Sequence, residues 1–156
     1  MQTCRALTIL CLLIFSGCNQ NSVPKTSSYE ITGDTTNRVA EMSAILAKVV
    51  APPTVIQDAY FLEEQTGDGK LGPSDFRAFY VIQVEALDVE QWTRTLVLLG
   101  EPAEYHAPTQ TRDWWATTNF FSSLEFYKPK SLTGRSHGWV GISRASGRIY
   151  IFTFTM

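Results

Sequence analysis

The stretch from Phe76 to Glu85 constrains the fold of this chain more than any other part of the sequence. Residues of one set alternate with residues of another: Phe76, Ala78, Tyr80, Ile82 and Val84 against Arg77, Phe79, Val81, Gln83 and Glu85. A period of two residues is typical of a β-strand with one buried face. The domain is therefore expected to be built around a sheet.

Three further segments are predicted to be strands. Ile56–Gln65 lacks a helical stripe and runs into the turn residues Thr66-Gly67-Asp68-Gly69. Trp139–Ile142 and Arg148–Thr155 flank a connection of hairpin length, in which glycine is available for a positive φ. The last strand carries apolar residues on both faces, which indicates a strand covered on both sides.

Helical spacing of apolar residues predicts two main helices. The first runs from about Arg38 to Val50 and stops before Pro52-Pro53. The second begins at Asp88, where Gln91 completes a capping-box pattern. On it Val89, Trp92, Leu96 and Leu99 are expected to share one face. A short third helix is predicted within 114–123.

These elements predict an α+β fold, with an antiparallel sheet of four or five strands and two main helices packed on one face. No internal repeat or second domain is found. The pattern leaves the strand order open.

The N-terminus has the layout of a processed export signal. Arg5 precedes the apolar or small stretch 6–15, and Phe15-Ser16-Gly17-Cys18 follows. About ten residues are too few for a membrane-spanning helix, which needs roughly 20. This segment resembles the lipobox of a bacterial lipoprotein precursor. A cleaved secretion signal and a core helix are the less favoured alternatives.

The resemblance implies cleavage before Cys18 and a covalent lipid, including palmitate, on that cysteine. It divides the chain into a signal peptide (1–17), a flexible tether (18–37) and one α+β domain (38–156). Asn19 stands where Asp most often retains a Gram-negative lipoprotein at the inner membrane. The expected location is therefore the cell envelope, with the outer membrane facing the periplasm favoured over the inner membrane.

Processing would leave Cys18 as the single cysteine, because Cys4 and Cys11 lie in the removed segment. A disulfide and a thiolate metal site are then excluded. The net charge of −2 has both signs interspersed and no basic patch for nucleic acid. The two histidines, His106 and His137, do not have the spacing of zinc ligands. The sequence also contains no Gly-x-Ser-x-Gly nucleophile elbow, and no catalytic residue is therefore assigned.

The loop 64–75 is similar to an EF-hand calcium loop over twelve residues. Its candidate ligands are Glu64, Thr66, Asp68 and Asp75, arranged around Gly69. Alternating oxygen ligands around a glycine turn suit a hard cation. However, strands rather than helices are expected on either side, and Pro73 interrupts the exit. The sequence therefore favours an ordinary turn, with calcium as the less favoured cofactor.

A second candidate site combines aromatic and basic residues of the C-terminal half. It comprises Trp114, Trp115, Tyr127, Lys128, Arg135, His137 and Trp139. Trp, Tyr and Arg often anchor interfaces, and the same residues could stack on a sugar ring. The alternative is that the tryptophans fill the core while Lys and Arg lie at its rim.

Two functions follow from these patterns. The leading hypothesis is a lipid-anchored envelope lipoprotein whose domain is a non-catalytic binding or accessory module for an envelope protein or glycan. The alternative is a lipid-anchored periplasmic hydrolase that uses two of the chain's carboxylates.

Overall fold

A computed structural model describes residues 27–66 and 74–155. The elements in chain order are β1 (Ser27–Glu30), α1 (Thr35–Leu46), β2 (Asp58–Thr66), β3 (Asp75–Gln83), α2 (Val89–Thr93), α3 (Thr118–Phe121), β4 (Glu125–Tyr127), α4 (Lys130–Thr133), β5 (His137–Ser143) and β6 (Arg148–Phe154). The predicted signal peptide and Cys18 lie outside the described residues.

The strands form one open antiparallel sheet in the order β1-β2-β3-β6-β5-β4. The predicted α+β class with an antiparallel sheet is confirmed, and β2, β3, β5 and β6 arise from the segments with strand patterns. The sheet has six strands rather than four or five. The two unforeseen strands, β1 and β4, are its short edges, and neither is long enough to show alternation in the sequence.

Strand β1 corrects the predicted domain boundary. Ser27 to Glu30 lie within the segment 18–37, which was expected to be a tether, yet they pair with Leu62–Gln65 of β2. The sheet therefore begins eleven positions before Arg38 in the printed numbering.

Helix α1 confirms the first predicted helix, with its bounds shifted toward the N-terminus. Asp34 caps it by accepting a hydrogen bond of 2.9 Å from the backbone N–H of Asn37. Met42 and Leu46 are buried. The predicted residues 47–50 leave the helix in a turn before Pro52.

The second predicted helix is mostly wrong. Only Val89–Thr93 is α-helical, after a 3-10 turn at Ala86–Asp88. Beyond it the chain extends along β4, where the Leu99 N–H donates to Phe126 O and the Lys128 N–H donates to Val97 O. These hydrogen bonds satisfy backbone groups that the edge strand would otherwise leave unpaired, which helical spacing alone does not reveal.

The sheet is covered on both faces, as the last strand predicted. We call one side the helix face; α1 and α2 cover it, and its core includes Phe61, Tyr80, Val140 and Ile151. The other side is the aromatic face, whose core includes Phe79, Trp139, Tyr150 and Phe152. The aromatic face is covered by 99–124, which we call the covering segment; of the third helix predicted there, only α3 forms.

None of the helices in the described parts of the chain combines the length and apolar character that crossing a membrane requires.

Candidate binding clefts on the aromatic face

Indole N–H groups fasten the covering segment to the sheet. Trp115 donates to the carbonyl of His106, and Trp139 of β5 donates to the carbonyl of Glu104, each at 2.9 Å. Both tryptophans are buried, at 6 % and 3 % exposure. Their indole N–H groups thus hold the loop backbone, although part of Trp139 still contributes to the lining of a cleft.

One cleft, which we call the Trp114 cleft, lies at one end of the aromatic face. Its volume is about 370 Å³, and it is lined by Asp58, Tyr60, Val81, Gln83, Asp113, Trp114 and Arg148. The Trp114 indole stacks on the Tyr60 ring, with 5.6 Å between centroids and 14° between planes. The cleft thus joins an aromatic wall to charged and amide groups.

An arginine behind the cleft fixes its wall. Arg38 donates to Asp58 at 2.6 Å and to Ala59 O at 3.0 Å, and its guanidinium lies 4.6 Å from the centroid of Tyr60. Partial burial opposes ionisation of Asp58. Hydrogen bonds from Arg38, the Ala59 N–H and the Tyr60 hydroxyl outweigh that effect, and the pKa of Asp58 is lowered. Asp58 is therefore an ionised acceptor at neutral pH.

Another cleft, which we call the His106 cleft, lies toward the opposite end of the same face. It encloses about 520 Å³ between the start of the covering segment and β5–β6, with Lys128, Trp139, Phe152 and Phe154 in its lining. The His106 ring stacks on Phe152 at 4.3 Å, and its Nε2 lies 3.8 Å from a carboxylate oxygen of Glu104.

The structure does not bring the seven predicted binding residues onto one surface. Trp114 lines the Trp114 cleft, whereas Lys128 and the buried Trp139 line the His106 cleft. His137 is exposed on the aromatic face against Phe154.

Two of the seven belong to the opposite side of the sheet. Tyr127 packs in the core of the helix face, because its neighbour Phe126 takes the aromatic face and successive strand residues alternate. Arg135 forms an ion pair of 2.6 Å with Glu63, which shares the helix-face side of β2 with Phe61.

The structure describes only part of the loop that carries the proposed calcium ligands. Glu64 is buried and bound to Thr109 and Arg77. Thr66 pairs with Asp75 at the ends of β2 and β3, and Asp68 falls outside the described residues. Within 27–66 and 74–155, no three His, Cys, Asp or Glu side chains lie close enough to hold a metal ion.

Most of the Trp114 cleft was missed from the sequence. The sequence patterns indicate Tyr60, Gln83 and Arg148 only as strand residues, and no pattern marks Asp113. The cleft is built from β2, β3, the covering segment and the start of β6. Asp113 precedes Trp114 in the sequence, but an acidic residue next to a tryptophan does not by itself indicate a site.

We compared the chain with models of known protein families, with curated proteins and with solved structures, and none of the three comparisons found a match.

Proposed function

We propose that this protein is a lipid-anchored lipoprotein of the bacterial envelope, and that its domain is a non-catalytic binding module acting through the aromatic face. The lipobox ending in Cys18 supports the anchor. The observation that carries the binding role is the Trp114 cleft. Among the three predicted tryptophan anchors, Trp114 is the one that is only half-buried, and it lies beside polar groups.

The point where the chain enters the sheet lies at the opposite end of β2 from the Trp114 cleft. Ser27 pairs with Gln65 near the end of β2, while Asp58, at the other end of β2, lines the Trp114 cleft. At about 3.3 Å per residue, the two ends are about 20 Å apart. On a domain held through Cys18, the Trp114 cleft would therefore lie at the end of β2 that is remote from the tether.

The same geometry limits how far the domain can move from the membrane. A tether that ends at Ser27 spans at most about 30 Å, roughly half the reach of one that ends at Asn37. The module would work close to the membrane to which it is anchored.

Binding can be tested with the purified soluble domain immobilised and exposed to solubilised envelope extract. We expect an envelope component to be retained by the wild-type domain and lost with Trp114→Ala. Tyr29→Ala is the matched control, because Tyr29 is an exposed aromatic residue on the helix-face side of β1. Equal retention by all three proteins, or none by any, would refute the proposal.

The hydrolase alternative has one observation in its favour, since Asp58 and Asp113 line the same cleft. A general acid needs a raised pKa at neutral pH, whereas Arg38 and other donors lower the pKa of Asp58. This favours binding over hydrolysis. Turnover of nitrophenyl glycosides that is abolished by both Asp58→Asn and Asp113→Asn would instead establish the enzyme.

A further inference from the structure

We propose that the Trp114 cleft is a subsite for an uncharged pyranose saccharide, with the sugar packed against Trp114 and its hydroxyls bound by Asp113 and Arg148. This inference rests on the proposed function, because it names the ligand class of the same binding module.

The aromatic wall is held rigid before any ligand arrives. Trp114 stacks on Tyr60, and Arg38 lies over the same ring. Arg38 is itself fixed by Asp58 and by the carbonyl of Gly33 at 2.6 Å. A preorganised aromatic surface avoids the entropy cost of ordering side chains on binding, and its apolar face suits the C–H groups of a sugar ring.

Trp114 differs from the other tryptophans in its hydrogen bonding. The indole N–H groups of Trp92, Trp115 and Trp139 donate to Thr54 Oγ1, His106 O and Glu104 O respectively. The Trp114 N–H has no acceptor among the described residues. Because no buried polar side-chain atom of these residues lacks a hydrogen-bond partner, this N–H is accessible to solvent. This donor is therefore free to meet a ligand oxygen.

Two charged residues of the cleft also keep unused hydrogen-bonding capacity. Arg148 donates through Nε to Gln83 and, within 27–66 and 74–155, uses neither terminal guanidinium nitrogen. The exposed carboxylate of Asp113 accepts no hydrogen bond from the described side chains or backbone. Together with the indole N–H they offer both donors and acceptors, as sugar hydroxyls require.

The charge of the cleft favours a neutral ligand. Asp58 is compensated by Arg38 at 2.6 Å, which leaves one negative charge at Asp113 and one positive charge at Arg148. These two opposite charges cancel, so the cleft carries no net charge that would favour an anion or a cation over an uncharged ligand. The volume of about 370 Å³ is near the lower end of the range of ligand sites, about 300–1,000 Å³, and suits one or two rings.

The test is a titration of the ¹⁵N-labelled soluble domain, followed through its indole N–H resonances. The probes are glucose, N-acetylglucosamine, cellobiose and chitobiose, with glucuronate as the anionic comparison. Trp114→Phe assigns the Trp114 resonance and keeps an aromatic wall. We expect at least one neutral probe to shift this resonance saturably, while the Trp92 resonance stays in place.

Variants separate a specific site from weak association. Asp113→Asn should weaken the neutral sugar about tenfold or more, as loss of a hydrogen bond to a charged group predicts, and Tyr29→Ala should leave its affinity unchanged. Thermal melting confirms that each variant is folded. The inference is overturned by the absence of a saturable shift up to about 10 mM, well above a weak Kd of about 1 mM. It is equally overturned by tighter binding of glucuronate, or by an affinity unaffected in folded Asp113→Asn.

The failure of this inference can be distinguished from failure of the proposed function. If no sugar binds but envelope extract still yields a component whose retention depends on Trp114, the binding module stands and the ligand is not a neutral saccharide. If neither experiment gives Trp114-dependent binding, both proposals are refuted.

Discussion

The Glu64 carboxylate accepts two hydrogen bonds from Thr109, one from the backbone N–H at 2.8 Å and one from the hydroxyl at 3.1 Å. Arg77 donates to the same carboxylate at 3.1 Å. Glu64 is 4 % exposed. Its hydrogen bonds to Thr109 tie the covering segment to β2 across the aromatic face. The acid that resembled a calcium ligand is thus a structural anchor for the segment that carries both clefts.

Glu64→Gln should lower the free energy of unfolding by about 2–3 kcal/mol, because the amide loses the charge-assisted acceptor and places a second donor near Arg77. Urea unfolding of the purified protein measures this loss of stability. Glu90→Gln is the control, since Glu90 pairs with Arg144 at an exposed position and should change stability by less than about 1 kcal/mol. Equal losses in the two variants would contradict the anchor role.

The stability contributed by Asp58 should depend on acid pH. Its folded pKa lies below its ordinary value of 3.8, so its contribution is complete above the unfolded pKa and is lost as the pH falls through the folded pKa. The difference in unfolding free energy between wild type and Asp58→Asn should therefore be largest near about pH 6 and shrink toward about pH 2.

Arg38→Gln provides the control for the Asp58 titration. Because Arg38 supplies the principal hydrogen bond to Asp58, the pH dependence of the Asp58→Asn difference should flatten in an Arg38→Gln background. A difference that is independent of pH when Arg38 is intact would show that the ion pair does not stabilise the fold.

Gly147→Ala should destabilise the protein by more than about 2 kcal/mol. Gly147 has φ +66°, and a Cβ there would lie 2.2 Å from the carbonyl oxygen of Val84. Gly100→Ala is the matched control, because a Cβ at Gly100 meets nothing within 4 Å. Thermal melting of both variants checks the prediction, which would be refuted by similar melting temperatures.

Cys18→Ser should abolish palmitate labelling and release the protein from the membrane fraction. The described domain begins at Ser27 and does not include Cys18, so its thermal melting transition should be unchanged. Metabolic labelling with fractionation measures the first effect, and melting measures the second. An unlabelled variant that stays in the membrane fraction would contradict the lipobox interpretation.

The local patterns predicted the elements whose own residues carry the signal. Alternation from Phe76 to Glu85 produced β3, and apolar spacing around Met42 produced α1, because each pattern expresses the geometry of a single element. The prediction for Leu96 and Leu99 failed although their spacing is helical. Leu96 packs on the helix face and Leu99 on the aromatic face. The segment after α2 is extended because it pairs with β4.

The sequence by itself determined the α+β class, the positions of the longer strands and the first helix, and the lipobox expectation for Cys18. Only the tertiary structure decided that Trp115 and Trp139 are buried while Trp114 borders a cleft. The physical reason is that the spacing of apolar residues, every two residues in a strand or every 3.6 in a helix, can be read within a single segment. Which indole reaches a carbonyl of the covering segment, and which finds no acceptor among the described residues, depends on distant segments that meet only when the sheet forms.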